Sequence, residues 1–133
     1  MARVLLYNFT EEERRRKVKA ALFRAAVPAR EIPAEEQDAP LGFLLGLEGF
    51  SAGEKTSQEP FRDEMIVMHA LEPRQFQRFL EGLKSQGIRV PLKAVVTEHN
   101  IRWTSRRLRE ELKAEHEALS AGGNAPVHGR EKG

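Results

Sequence analysis

Residues 65–100, MIVMHALEPRQFQRFLEGLKSQGIRVPLKAVVTEHN, decide the architecture of this chain. Met65-Ile66-Val67-Met68 is a continuous apolar run, Pro73 opens a helical stretch, and Leu92 to Val96 is apolar again. The period passes from strand to helix and back, which is the signature of a β-α-β unit. Within the helix, Phe76, Phe79, Leu80 and Leu83 form one stripe and Gly87 stops it.

The preceding residues add to this unit. Arg3-Val4-Leu5-Leu6-Tyr7-Asn8-Phe9 reads as a strand covered on both faces, because a half-exposed strand should alternate. Thr10 and Glu13 have capping-box spacing, and Val18, Ala21, Leu22 and Ala25 repeat at one-face spacing. Glu11/Arg15, Glu12/Arg16 and Glu13/Lys17 stand four apart on a solvated face. Arg30-Glu31-Ile32-Pro33 reads as an edge strand, since proline cannot donate to a central ladder. Asp38 and Pro40 fit the start of a short helix carrying Leu41, Leu44 and Leu45, and Ser51 to Pro60 has the composition of an exposed loop. A last helix is expected from about Thr104 to Leu119, with a thin stripe at Leu108, Leu112 and Leu119. Residues 1–119 are expected to form a single domain, and 120–133 a disordered tail that adds nothing to the fold.

The element order allows two folds. The preferred one is a three-layer α/β/α arrangement around a four-stranded, mostly parallel sheet of order 2-1-3-4. Right-handed crossovers would then put the first and last helices on one face and the short and middle helices on the other. The alternative is a ferredoxin-like α+β fold, whose second and third strands would be antiparallel neighbours with one sheet face open.

Composition narrows the function classes. The 133 residues are 40% hydrophobic and 32% charged, and 22 basic residues nearly cancel 20 acidic ones. A net charge of +2 supplies no global field toward nucleic acid or membrane, so any basic patch must be local. With no cysteine, thiol catalysis and thiolate metal sites are excluded, and a cytoplasmic location is expected. No apolar run approaches membrane-spanning length.

The motifs Leu5-Leu6-Tyr7-Asn8-Phe9, Lys93-Ala94-Val95-Val96-Thr97 with Asn100 and Trp103, and Glu111-Leu112 with Glu115-His116-Glu117 carry a resemblance. The chain resembles an uncharacterised bacterial domain-of-unknown-function family of small α/β proteins. The resemblance implies no activity, cofactor or catalytic residue.

In open parallel sheets ligands bind beyond the C-terminal strand ends, at the point where strand order reverses. The loops expected there offer Asn8, Thr10, His69, Thr97, His99 and Asn100. Capping and turn formation explain Thr10 and Asn100 equally well. His69, His99 and Glu98 lack the spacing of a metal motif, so neither metal nor cofactor is expected. The turn after the first strand has no glycine and leads into three glutamates, which disfavours a nucleotide phosphate. No serine sits in a nucleophile elbow.

Arg102, Arg106, Arg107 and Arg109 crowd the start of the last helix, where they oppose its dipole, beside Trp103. Trp103, Arg106 and Arg107 are therefore candidate contacts for an anionic group. The leading expectation is a non-enzymatic protein-binding or regulatory module with a protein partner or self-association. A small-molecule enzyme site at the strand ends is the alternative. Nucleic acid is disfavoured for want of an extended basic surface.

Overall fold

The computed structural model describes residues 1–54 and 58–120. The continuous apolar runs become the two central strands, β1 (Arg3–Tyr7) and β3 (Met65–His69), and each serves two cores. Leu5, Tyr7, Met65 and Val67 point to one face, whereas Val4, Leu6, Ile66 and Met68 point to the other. The proline-flanked strands β2 (Ala29–Ile32) and β4 (Leu92–Val95) take the edges of a sheet of order β2-β1-β3-β4. Covering of both faces excludes the ferredoxin-like alternative, and β2 and β3 are not neighbours.

Helix α1 (Glu12–Ala25) buries Val18, Ala21, Leu22 and Ala25, as their spacing requires. Its cap is Glu11, whose carboxylate accepts from Arg14 N at 2.8 Å, so the expected box at Thr10 is displaced by one residue. Helix α3 (Pro73–Ser85) buries Phe79 and Leu83, with Phe76 and Leu80 packed partly against the same core. The short helix α2 (Leu41–Leu44) and the long α4 (Ser105–Ser120) complete the set. Leu108 and Leu112 of α4 are buried, but the expected stripe stops there because Leu119 is exposed. The tail assigned to residues 120–133 lies, from 121 onward, outside the described residues, as do 55–57 of the long loop.

The sheet is mixed. β1 pairs β2 in parallel and β3 pairs β4 in parallel, but β1 and β3 are antiparallel. The cause lies between β2 and β3. A parallel β3 would require this segment to travel the length of the sheet, whereas the four-residue α2 spans only about 6 Å. The segment stays at the end where β1 leaves: Asn8 Nδ2 donates to the Phe61 and Asp63 carbonyls, both at 2.9 Å. β3 must then run back beside β1.

Reversal of the second β-α-β unit also moves its helix. Two right-handed units related by half a turn about the sheet normal place both crossover helices on one face. Accordingly α1 and α3 share a face, and α2 and α4 share the other, which corrects the pairing expected for a parallel sheet. α1 and α3 approach closely where Gly82 meets Ala21, since a Cβ added at Gly82 would stand 3.0 Å from the Ala21 Cβ.

The acid-base pairs of α1 are mostly tertiary. Of the three expected four-residue pairs only Glu13/Lys17 forms, at 3.8 Å. Arg15 and Lys19 instead reach Glu31 on β2, at 2.7 and 2.6 Å, and Arg14 reaches Glu64 at 2.6 Å. Hydrogen bonds from Arg15, aided by Lys19 against the cost of burial, hold the Glu31 carboxyl down at about 2. A depressed carboxyl contributes stability above its unfolded pKa, roughly 4.3, and loses it as pH falls toward the folded value. Glu31→Gln should therefore flatten the stability profile between about pH 4.5 and 2, with a cost at neutral pH below about 1 kcal/mol for this exposed group. Denaturant midpoints across that range test it, and an unchanged acid limb would contradict it.

Candidate functional site

Antiparallel pairing of the two units sends the expected strand-end residues to opposite ends of the sheet. Asn8 and Thr10 lie where β1 leaves, next to the start of β3, whereas His69 lies beside Arg3 where β1 begins. Thr97, His99 and Asn100 follow β4, which ends alongside β3. Among the described residues these groups therefore stand at two ends of the sheet and not around one switch point.

At the exit of β1, Asn8 adopts φ 65°, a left-handed conformation that asparagine tolerates. Its amide is committed to the Phe61 and Asp63 carbonyls. Gln37, fully buried, pairs with Phe61 as a second strand would: Nε2 donates to the carbonyl at 3.1 Å and Oε1 accepts from the amide at 2.8 Å. Thr10 is exposed beside this network. A cleft of about 440 Å³ lined by Asn8, Thr10, Ala34, Glu59, Phe61 and Arg62 opens there. A neighbouring hollow of about 450 Å³ also reaches Ala34, with Asp38, Phe43 and Arg106 in its wall.

At the opposite end, Asn100 closes a turn. Its Oδ1 accepts from Thr97 N at 2.8 Å and its Nδ2 donates to the Val95 carbonyl at 3.2 Å, while Thr97 Oγ1 accepts from the amides of His99 and Asn100. His99 is exposed and lies edge-on to Trp103, with ring centres 5.5 Å apart. Burial, with the N-terminal amine adding to it, pushes the His69 imidazole below its ordinary value. Among the described residues no group of three His, Asp or Glu side chains is placed to hold a metal.

The arginines in and just before α4 have internal work. Arg106 grips Asp38 through Nε at 2.6 Å and Nη2 at 3.1 Å, and its Nη1 donates to the Glu59 carbonyl. Arg109 pairs with Asp63 at 2.7 Å. Arg107 lies over the Trp103 ring at 4.2 Å and Arg102 over Phe50 at 5.6 Å. Asp38 thus serves as the anion for Arg106 rather than as the cap of α2. These partners offset the unfavourable position of the charges in the helix dipole. Trp103 itself is a core residue, only 9% exposed.

The surface that sequence reasoning missed is the outer face of α1 and α3. Phe23 of α1 is 86% exposed, off the buried stripe. Its position outside the 18, 21, 22, 25 spacing was a readable signal. Gln75 Nε2 donates to the Ala26 carbonyl at 3.1 Å, which joins the start of α3 to the end of α1. Around that junction stand Arg24, Arg74 and Arg78, all exposed and without an anionic partner among the described residues.

Residues 64–119 match DUF3783, a domain of unknown function. The match covers less than half of the chain, so the similarity is one of this segment. No curated protein and no solved structure matches. The DUF3783 span holds β3, α3, β4 and α4, so Arg74, Arg78, Trp103 and Arg106 fall inside it. Phe23, Arg24 and the Asn8–Gln37 network lie outside the matched span. Among the described residues no helix is long and apolar enough to cross a membrane.

Proposed function

We propose that the protein is a non-catalytic binding module of the cytoplasm that holds a protein partner on the outer face of α1 and α3. One observation carries the reading: an aromatic ring, Phe23, stands 86% exposed on α1, and Arg24 of the same helix and Arg74 and Arg78 of α3 are exposed without an anionic partner among the described residues. Exposed aromatic and arginine side chains are the residue types that dominate binding hot spots. The side chains with most chemical capacity support it from the other direction, because Asn8, Thr97, Asn100 and Arg106 spend their polar atoms on the fold.

Phe23→Ala should weaken partner capture by about 2 kcal/mol or more, roughly thirtyfold, without lowering the melting temperature. Affinity capture from native lysate, comparing this variant and Arg74→Glu/Arg78→Glu with the parent chain, measures it. Retention of the same partner by both variants would refute the assignment.

A second reading, a small-molecule site, is favoured by the adjoining hollows that meet at Ala34. A metabolite that raises the melting temperature of the parent chain but not of Arg62→Ala would establish it.

A further inference from the structure

The last turn of α3, the loop after it and the edge strand β4 frame an open hollow of about 470 Å³. Its volume falls within the range of small-molecule sites, about 300–1,000 Å³. Leu80, Leu83 and Ile88 supply an apolar floor, and Lys84, Arg89 and Lys93 complete the wall with Gly87. Among the described residues no carboxylate lines it. The two hollows that meet at Ala34 differ in this respect, because one has Glu59 in its wall and the other Glu35, Glu36, Asp38 and Glu54.

The way α3 ends builds this hollow. Gly87 stands at φ 72°; its amide donates to the Lys84 carbonyl at 3.0 Å, and the Ile88 amide to the Leu83 carbonyl at 2.9 Å. This glycine-closed turn brings Ile88 back against Leu83, and it spends terminal carbonyls of the helix within the turn instead of leaving them open to a ligand. On β4, Leu92 and Ala94 belong to the core on the α4 side, so Lys93 between them faces the α3 side. Its ammonium donates to the Val90 carbonyl at 2.6 Å, which holds the charge beside the loop. Lys84 and Arg89 are exposed and form no ion pair among the described residues. Glu64, near the same loop, is already taken: Arg14 grips it through Nε at 2.9 Å and Nη2 at 2.6 Å, and that Nη2 also donates to the Arg89 carbonyl at 3.0 Å.

We infer that this hollow binds a small organic phosphate, a phosphate monoester carried on an apolar group. Three cations with no carboxylate among them in the wall match a multiply charged anion. A phosphate monoester carries about −1.5 to −2 charge near neutral pH and presents three acceptor oxygens. Lysine and arginine are the side chains that hold such a group, as point charge and as planar fork. The apolar floor selects an ester over the free ion, since Leu80, Leu83 and Ile88 can cover a hydrocarbon group but offer an inorganic ion nothing. The site goes beyond the protein-docking reading and is independent of it, because Phe23, Arg24, Arg74 and Arg78 take no part in the wall. It lies wholly within the segment that matches DUF3783.

Amide chemical-shift titration of the full chain with phenyl phosphate tests the inference, with inorganic phosphate and phenol as comparisons. At about 0.05 M salt, phenyl phosphate should move the amides of Lys84, Gly87, Ile88, Arg89 and Lys93 with a Kd of about 1 mM or below. Inorganic phosphate should bind at least about threefold more weakly, and phenol should leave these amides in place. Lys84→Glu/Arg89→Glu should weaken phenyl phosphate at least about tenfold. Lys93→Met, which keeps an unbranched stem of similar length, should weaken it about threefold or more. Circular dichroism of each variant establishes folding. No movement of these amides up to about 10 mM phenyl phosphate, equal affinity for the inorganic ion, or full retention of binding by the folded double variant would overturn the inference.

Discussion

Phe79→Ala is expected to cost about 3 to 5 kcal/mol of folding stability. Phe79 is fully buried between α3 and the sheet, within the cluster that joins Val4, Leu6, Ile66 and Met68 to Val18, Ala21 and Leu22 of α1. Removal of the ring opens a cavity in the cluster shared by α1, α3 and the two central strands. The surroundings cannot close over the hole, because Gly82 already brings α3 against Ala21 with little room to spare. Chemical denaturation measures the loss. A change below about 1 kcal/mol would mean that α3 does not pack as described.

Gln37→Ala should be the costliest polar substitution, at about 2 to 4 kcal/mol. The Gln37 amide is the buried partner of Phe61 N, and the carbonyl of Gln37 itself accepts from Arg106 N at 3.1 Å. Truncation leaves the Phe61 amide without its acceptor and opens a cavity beside it. Gln37→Met keeps the volume and removes only the pairing, so the difference between the variants separates cavity from orphaned donor. Faster hydrogen exchange at Phe61 in both variants is the specific signature. Unchanged exchange there would show that Gln37 does not hold the entry to β3.

The legible parts of the fold were those governed by short-range pattern. Continuous apolarity in Val4–Tyr7 and Met65–Met68 identified strands covered on both faces, and Pro33 placed β2 at an edge. Strand order followed from the same facts. Strand direction did not, because it depends on whether residues 33–64 cross the sheet, and that depends on a buried amide pairing 24 residues apart in sequence. A clue was present in the shortness of the apolar segment around Leu41–Leu44, too brief for a crossover helix.

The candidate site was less legible for the same reason. Asn8 and Asn100 have the composition of binding groups but serve as long-range and local staples, respectively. Arg106 and Arg109 looked uncompensated because their partners, Asp38 and Asp63, are 68 and 46 residues away.

Amide chemical-shift mapping of the full chain, titrated with the protein it captures, tests the central claim most directly. The account predicts that perturbed amides on the receiving chain cluster on α1 and α3, around Phe23, Arg24, Arg74 and Arg78. Perturbations confined to the cleft of Asn8, Thr10, Ala34 and Phe61, with α1 and α3 unchanged, would contradict it.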